Sequence, residues 1–72
     1  MEASEWADRM VELELWYRKS RDKKGVREKA KVINTEYVNG FVPRERKVVN
    51  FIYWVKYTNI FEGLLREWEK TY

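Results

Sequence analysis

No cysteine and no histidine occur among the 72 residues of this chain. Without cysteine there are no disulfides and no thiolate metal sites, and the redox compartment is left undetermined. Without histidine there is no zinc site of the usual Cys/His type, no imidazole general base and no Ser-His-Asp triad. Ser4 and Ser20 are the only serines, and neither has a partner base. The three glycines, Gly25, Gly40 and Gly63, are far apart, so no Gly-rich loop can cradle a phosphate. The densest apolar run, Val48 to Val55, is eight residues long and broken by Asn50, well short of the roughly 18 residues of a membrane span. No basic-then-apolar leader follows Met1, so a cytoplasmic location is the expectation. Carboxylates could still perform acid–base or magnesium chemistry. Asp8 and Glu12 are spaced one helical turn apart for it, but no further ligand is evident and an ordinary solvated helix face accounts for them. The expectation is a protein that is not an enzyme and that uses no cofactor and no metal.

Aromatic rings are abundant: four tryptophans, five tyrosines and three phenylalanines. Each ring buries on the order of 150–250 Å² when interior, which lets so short a chain form one domain, 1–72, without a staple.

Charge is sorted along the chain. Residues 1–14 carry five acids against Arg9, a net −4. Residues 18–31 carry eight bases against Asp22 and Glu28, a net +6, and a second basic knot, Arg44, Arg46 and Lys47, surrounds Glu45. The total of +3 thus hides a dipolar molecule whose positive field attracts polyanions or acidic protein faces.

Aliphatic residues are sorted too. Every leucine lies near an end, whereas every isoleucine, and every valine except Val11, lies between Val26 and Ile60. Leucine loses little rotamer freedom in a helix, and β-branched side chains pack well on a pleated surface. This distribution predicts helix, sheet, helix. The first helix runs from about Ser4, its cap, to Ser20, with Trp6, Met10, Leu13 and Tyr17 on one face and Gly25 closing the loop that follows. The last helix starts near Ile60, with Asn59 and Glu62 as a capping-box variant. Between them, Lys47 to Thr58 holds nine β-formers in twelve positions, and Val49, Phe51, Tyr53, Val55 and Tyr57 alternate onto one face. Asn39-Gly40 between Tyr37-Val38 and Phe41-Val42 is a strong hairpin signal, with Pro43 at an edge or bulge.

The expected fold is therefore α+β: an N-terminal helix, two or three antiparallel strands and a C-terminal helix. Its element order resembles that of double-stranded-RNA-binding modules, at fold level only and without their motif. The alternative is an all-helical bundle of three or four helices. Val26, Ala30, Ile33 and Tyr37 match helical spacing, and Asn39-Gly40 with Pro43 can end one helix and start another. That alternative contains a helix-turn-helix: Arg27 to Asn39, a turn Gly40 to Pro43, and a recognition helix from Arg44 to Tyr57.

These features point to a small binding or regulatory module, with nucleic acid as the leading ligand. Lys19, Arg21, Lys23, Lys24, Arg27, Lys29 and Lys31 would lie on phosphates, and Arg44, Arg46 and Lys47 would extend the footprint if the hairpin folds back beside them. Trp54, outward on the sheet, would stack on bases or anchor a protein interface. The competing reading is an inhibitor or adaptor docking on an acidic face of a larger partner, a role that suits a phage or mobile-element product. Homodimerisation would use a strand edge or the Trp16 side of the first helix.

Overall fold

Ala3–Ser20 forms helix α1, and its inner face is the one its spacing predicts: Met10, Leu13 and Tyr17 are buried and Trp6 is half-buried. The cap differs. Glu2 occupies the N-cap position without a side-chain bond, and Ser4 lies within the first turn. The helix ends at Arg21, which adopts a left-handed conformation (φ 54°) and donates its backbone N–H to the Tyr17 carbonyl at 2.8 Å.

The computed structural model describes residues 1–72 and contains no strand, so the expected α+β fold, with its double-stranded-RNA-binding-like element order, does not form. Lys23–Asn39 is helix α2. Its start is fixed by Asp22, whose Oδ1 accepts the Gly25 N–H at 2.9 Å. Gly25 is thus in the first turn of a helix and not in a closing loop. A Cβ there would displace the Asp22 carboxylate that caps α2 and the edge of the Trp16 ring. Val26, Ala30, Ile33 and Tyr37 are all buried along one face of α2. Helical periodicity over a shared core outweighs the weak helix propensity of β-branched residues here, since most helix stability comes from packing an apolar face.

Asn39-Gly40 makes no hairpin. A type I′ turn needs positive φ at both central residues, whereas Gly40 has φ −74° and ψ −19° and donates its N–H to Glu36 O at 3.1 Å. It ends α2. A loop, residues 40–46, then carries Pro43 at its surface and plugs Val42 into the interior. Lys47–Thr71 is helix α3, 25 residues long and roughly 37 Å at 1.5 Å per residue, comparable to the 40 Å length of the molecule. The expected start at Ile60 is wrong for that reason: Asn59 and Glu62 lie in mid-helix and cap nothing.

The helices form an up-down-up bundle. Trp6 Nε1 donates to Asn34 Oδ1 at 2.7 Å while Trp16 packs near Gly25, so α1 and α2 are antiparallel. Asn39 pairs with Asn50, Thr35 with Trp54, Arg27 with Glu62 and Lys23 with Glu69, so α3 runs antiparallel down the whole of α2. A helix-turn-helix instead sets its two helices at about 90–120°. The helical alternative therefore lacks that motif, and no recognition helix from Arg44 to Tyr57 exists as a separate element.

Two aromatic clusters fill the bundle. At the loop end Trp6, Tyr37, Phe41, Tyr53 and Tyr57 meet edge-on or tilted, the closest being Tyr37 and Tyr57 with centroids 4.7 Å apart. At the other end Phe61 and Trp68 are 6.0 Å apart, and Tyr17 lies 6.2 Å from Trp68.

Two phenols make the fold sensitive to alkali. The Tyr37 hydroxyl lies 3.4 Å from that of Tyr57, and this hydrogen bond, with burial, raises its pKa above the ordinary tyrosine value. Tyr72 donates to Glu14 Oε2 at 2.6 Å, and its pKa is raised by that bond and then by burial. A phenol whose folded pKa is raised contributes stability that is fully present below its unfolded value, about 10, and lost as pH rises through the folded one. Urea-unfolding midpoints should therefore fall above about pH 10, and less steeply in a Tyr37→Phe, Tyr72→Phe variant. An equally steep fall in that variant would refute the assignment.

Gly63 sits inside α3 with nothing within 4 Å of the place a Cβ would occupy. Gly63→Ala should stabilise the monomer by about 1 kcal/mol, raising its thermal midpoint by about 4–8 °C. A scan at about 1 μM, where self-association contributes least, checks this, and an unchanged or lower midpoint would contradict it.

Candidate binding surface on α2 and α3

The seam between α2 and α3 gathers five of the predicted site residues. Trp54 is its hub. It is half-buried and not outward as on a sheet, and its Nε1 donates to Thr35 Oγ1 at 3.1 Å. On one side of the indole an open groove of about 400 Å³ is lined by Asn39, Arg44, Lys47, Asn50 and Phe51. On the other a smaller one, about 190 Å³, is lined by Arg27, Lys31, Thr58 and Glu62 among others. Asn34 Nδ2 and Thr58 Oγ1, beneath that second groove, have no hydrogen-bond partner.

Beside the grooves, α3 presents a second stripe that the bundle does not cover. Val48 is 73% exposed, Phe51 64% and Ile52 59%, with half-buried Val55 completing an i, i+3, i+4, i+7 row. Arg44, Arg46, Lys47 and Lys56 are exposed around it, with Glu45 the acid in the same loop. The combination is an apolar knob in a cationic collar.

The remaining basic residues do not join this surface. Lys19, Arg21, Lys23 and Lys24 sit at the opposite end of the bundle, where α1 turns into α2, so Arg44, Arg46 and Lys47 do not extend their footprint. Two of the expected charges are also neutralised within the molecule. Arg27 makes a two-pronged contact with Glu62 at 2.8 and 3.1 Å, which raises its pKa further, and Lys23 meets Glu69 at 3.0 Å. Lys29 lies on the far side of α2, 5.0 Å above the Trp16 ring, and Arg18 lies 5.6 Å above Tyr72. Lys19, Arg21, Lys24, Lys31, Arg44, Arg46 and Lys47 form no ion pair.

No family model, curated protein or solved structure matches this chain. Function must be argued from the surface itself.

Asp8 and Glu12 are exposed on α1, Glu12 is engaged by Arg9 at 3.3 Å, and no three acids converge as a metal site. No helix is long and apolar enough to cross a membrane. Sequence reasoning missed Val48, Phe51 and Ile52 as surface residues. The signal was present in their helical spacing, but the alternation of Val49, Phe51 and Tyr53 masked it.

Proposed function

We propose that this protein is a non-enzymatic binding module that grips an acidic, partly apolar protein segment with the α2–α3 seam and the first turns of α3. The supporting observation is the juxtaposition of exposed Val48, Phe51 and Ile52 with unpaired Arg44, Arg46 and Lys47 around the Trp54 groove. Apolar side chains of this size gain nothing from phosphates, whereas aromatic and arginine anchors beside a pocket are what protein hot spots are made of. The cationic collar favours Asp and Glu on the partner and steers its approach. An amphipathic helix laid along the seam would place apolar anchors at i, i+3 or i+4 and i+7 on the knob.

A display selection of short helical peptides against the immobilised protein tests this reading. Enriched sequences should combine that apolar spacing with acidic flanks, and should bind the Phe51→Asp variant far more weakly. Enrichment of basic peptides, or equal binding to the variant, would contradict it.

Nucleic acid is the second reading, supported by Lys19, Arg21 and Lys24, which stand unpaired at the α1–α2 end. It predicts micromolar or tighter binding to duplex or single-stranded DNA or RNA with a steep salt slope, lost in part on Lys19→Ala, Arg21→Ala and Lys24→Ala. The protein-binding reading predicts at most weak, non-specific association that Phe51→Asp leaves unchanged.

A further inference from the structure

The side chains that tie α2 to α3 form a ladder with one rung left open. Asn50 donates to Asn39 at 3.2 Å, Trp54 to Thr35 at 3.1 Å and Arg27 to Glu62 at 2.8 Å. From the first pair to the second, α2 steps back four residues and α3 steps forward four; from the second to the third each steps eight. Two antiparallel helices facing along one stripe require that register. The pair missing at the four-residue step is Lys31 and Thr58, and no bond joins them. Lys31 makes no ion pair, and the Thr58 hydroxyl oxygen is shielded from solvent without a hydrogen-bond partner.

At this rung lies the recess of about 190 Å³, with Trp54 at one end and Arg27 and Glu62 at the other. Asn34, 1% exposed, lines it as well. Its Oδ1 accepts the Trp6 indole N–H at 2.7 Å, which fixes the amide's orientation and leaves Nδ2 without an acceptor. The unmatched groups are thus an ammonium, an amide N–H₂ and a hydroxyl, all able to donate. What the rung lacks is an acceptor. Glu62, the one acid in the lining, does not supply it, because Arg27 holds both of its oxygens, at 2.8 and 3.1 Å. The unpaired Lys31 favours an ionised acceptor over a neutral one.

We infer that this recess is a carboxylate pocket and takes one Asp or Glu side chain of the acidic segment gripped by the α2–α3 seam. The source of the carboxylate, though not the pocket, rests on that proposed function. The incoming group closes the open rung: one oxygen accepts from Lys31 Nζ at the rim, the other from Asn34 Nδ2 and Thr58 Oγ1 at the floor. Neither floor atom has surface open to solvent, so a wall yields as the oxygen enters. Trp54 is that wall, half-buried and held by one hydrogen bond to the exposed Thr35.

Propionate, a Glu side chain without its backbone, tests the pocket by ¹⁵N NMR titration to about 100 mM, beside sodium chloride and propionamide at equal concentrations. For so small a ligand a dissociation constant on the order of 10 mM is expected. The Asn34 side-chain N–H₂ and Trp54 indole N–H resonances should move with propionate. Propionamide should bind at least about tenfold more weakly, and chloride should leave both resonances still. Thr58→Val keeps the shape and removes the hydroxyl; it should melt at the wild-type temperature or above, yet bind propionate about tenfold more weakly. Lys31→Ala, at an exposed position, should weaken binding similarly, whereas Lys24→Ala, an unpaired lysine in the first turn of α2, should not. Acidic peptides from the display selection should lose about tenfold in affinity for the Thr58 and Lys31 variants. No propionate shift, an equal response to chloride, or propionate binding unaltered in both variants would overturn the pocket. So would a Thr58→Val midpoint lowered by about 4 °C or more, which would mean the hydroxyl is already bonded. Propionate binding without a selectable acidic peptide, or peptide binding indifferent to both substitutions, would overturn the assigned source; in the second case the seam reading stands.

Discussion

Phe61→Ala should leave only about half of the protein folded at 25 °C. Phe61 is 2% exposed, stacks edge-on against Trp68 and belongs to the buried cluster that joins all three helices with Leu65, Val26 and Leu13. Truncating a buried phenylalanine costs about 3–5 kcal/mol, the transfer term plus the cavity left behind. A core in a chain of this length supplies about 3–5 kcal/mol of net stability in all. The two figures nearly cancel. Far-UV circular dichroism should show a large loss of helical signal, and thermal unfolding should lose its cooperativity. A cooperative transition shifted by less than about 1 kcal/mol would mean that Phe61 is not where the bundle is tied.

Phe51→Asp, ten positions earlier on the same helix, should do the opposite. Its side chain is 64% exposed, so replacing it should change stability by no more than about 0.5 kcal/mol. Binding should suffer heavily. A buried aromatic anchor at an interface contributes 2 kcal/mol or more, so affinity for an acidic amphipathic peptide should fall at least about thirtyfold. The carboxylate adds repulsion against acidic residues of the ligand. Titrations of wild type and variant, each checked for an intact melt, measure the difference. A loss below about threefold would remove Phe51 from the surface that matters.

This contrast also explains what the sequence concealed. Phe51 stands among β-branched and aromatic residues, and composition cannot distinguish an apolar residue kept for the core from one kept for a partner. The concentration of valine and isoleucine in the middle of the chain points to sheet. In the folded molecule Val26, Ile33 and Val38 serve the core from α2, while Val48 and Ile52 face outward from α3. Asn34, a poor helix former by propensity, is buried in α2 as the acceptor for Trp6 Nε1. Asn39-Gly40 is ambiguous in principle, because the dipeptide that closes a hairpin also ends a helix. Where one periodicity is unopposed, sequence and structure agree: the Trp6, Met10, Leu13, Tyr17 face of α1 lies against the core.

For the candidate site, the sequence names residue types without their geography. Trp54, Arg44 and Lys47 do share a groove, and Arg27 and Lys31 line its neighbour. The dense basic stretch from Arg18 to Lys31, however, wraps a corner and is divided among three faces. Four of its eight bases meet Glu69, Glu62 and the rings of Trp16 and Tyr72, while Lys19, Arg21, Lys24 and Lys31 form no ion pair. Linear charge density overstates a field when folding brings counter-charges from the other end of the chain.

The most direct test of the proposed recognition surface is an NMR titration of ¹⁵N-labelled protein with a selected acidic amphipathic peptide. The Trp54 indole N–H is a specific probe, because it sits between the two grooves and already donates to Thr35. The expected result is that this resonance shifts most, together with the amides of Asn39, Arg44, Lys47, Asn50 and Phe51, while those of Lys19 to Lys24 stay still. Shifts concentrated at Lys19 to Lys24, with the Trp54 indole unmoved, would contradict the account.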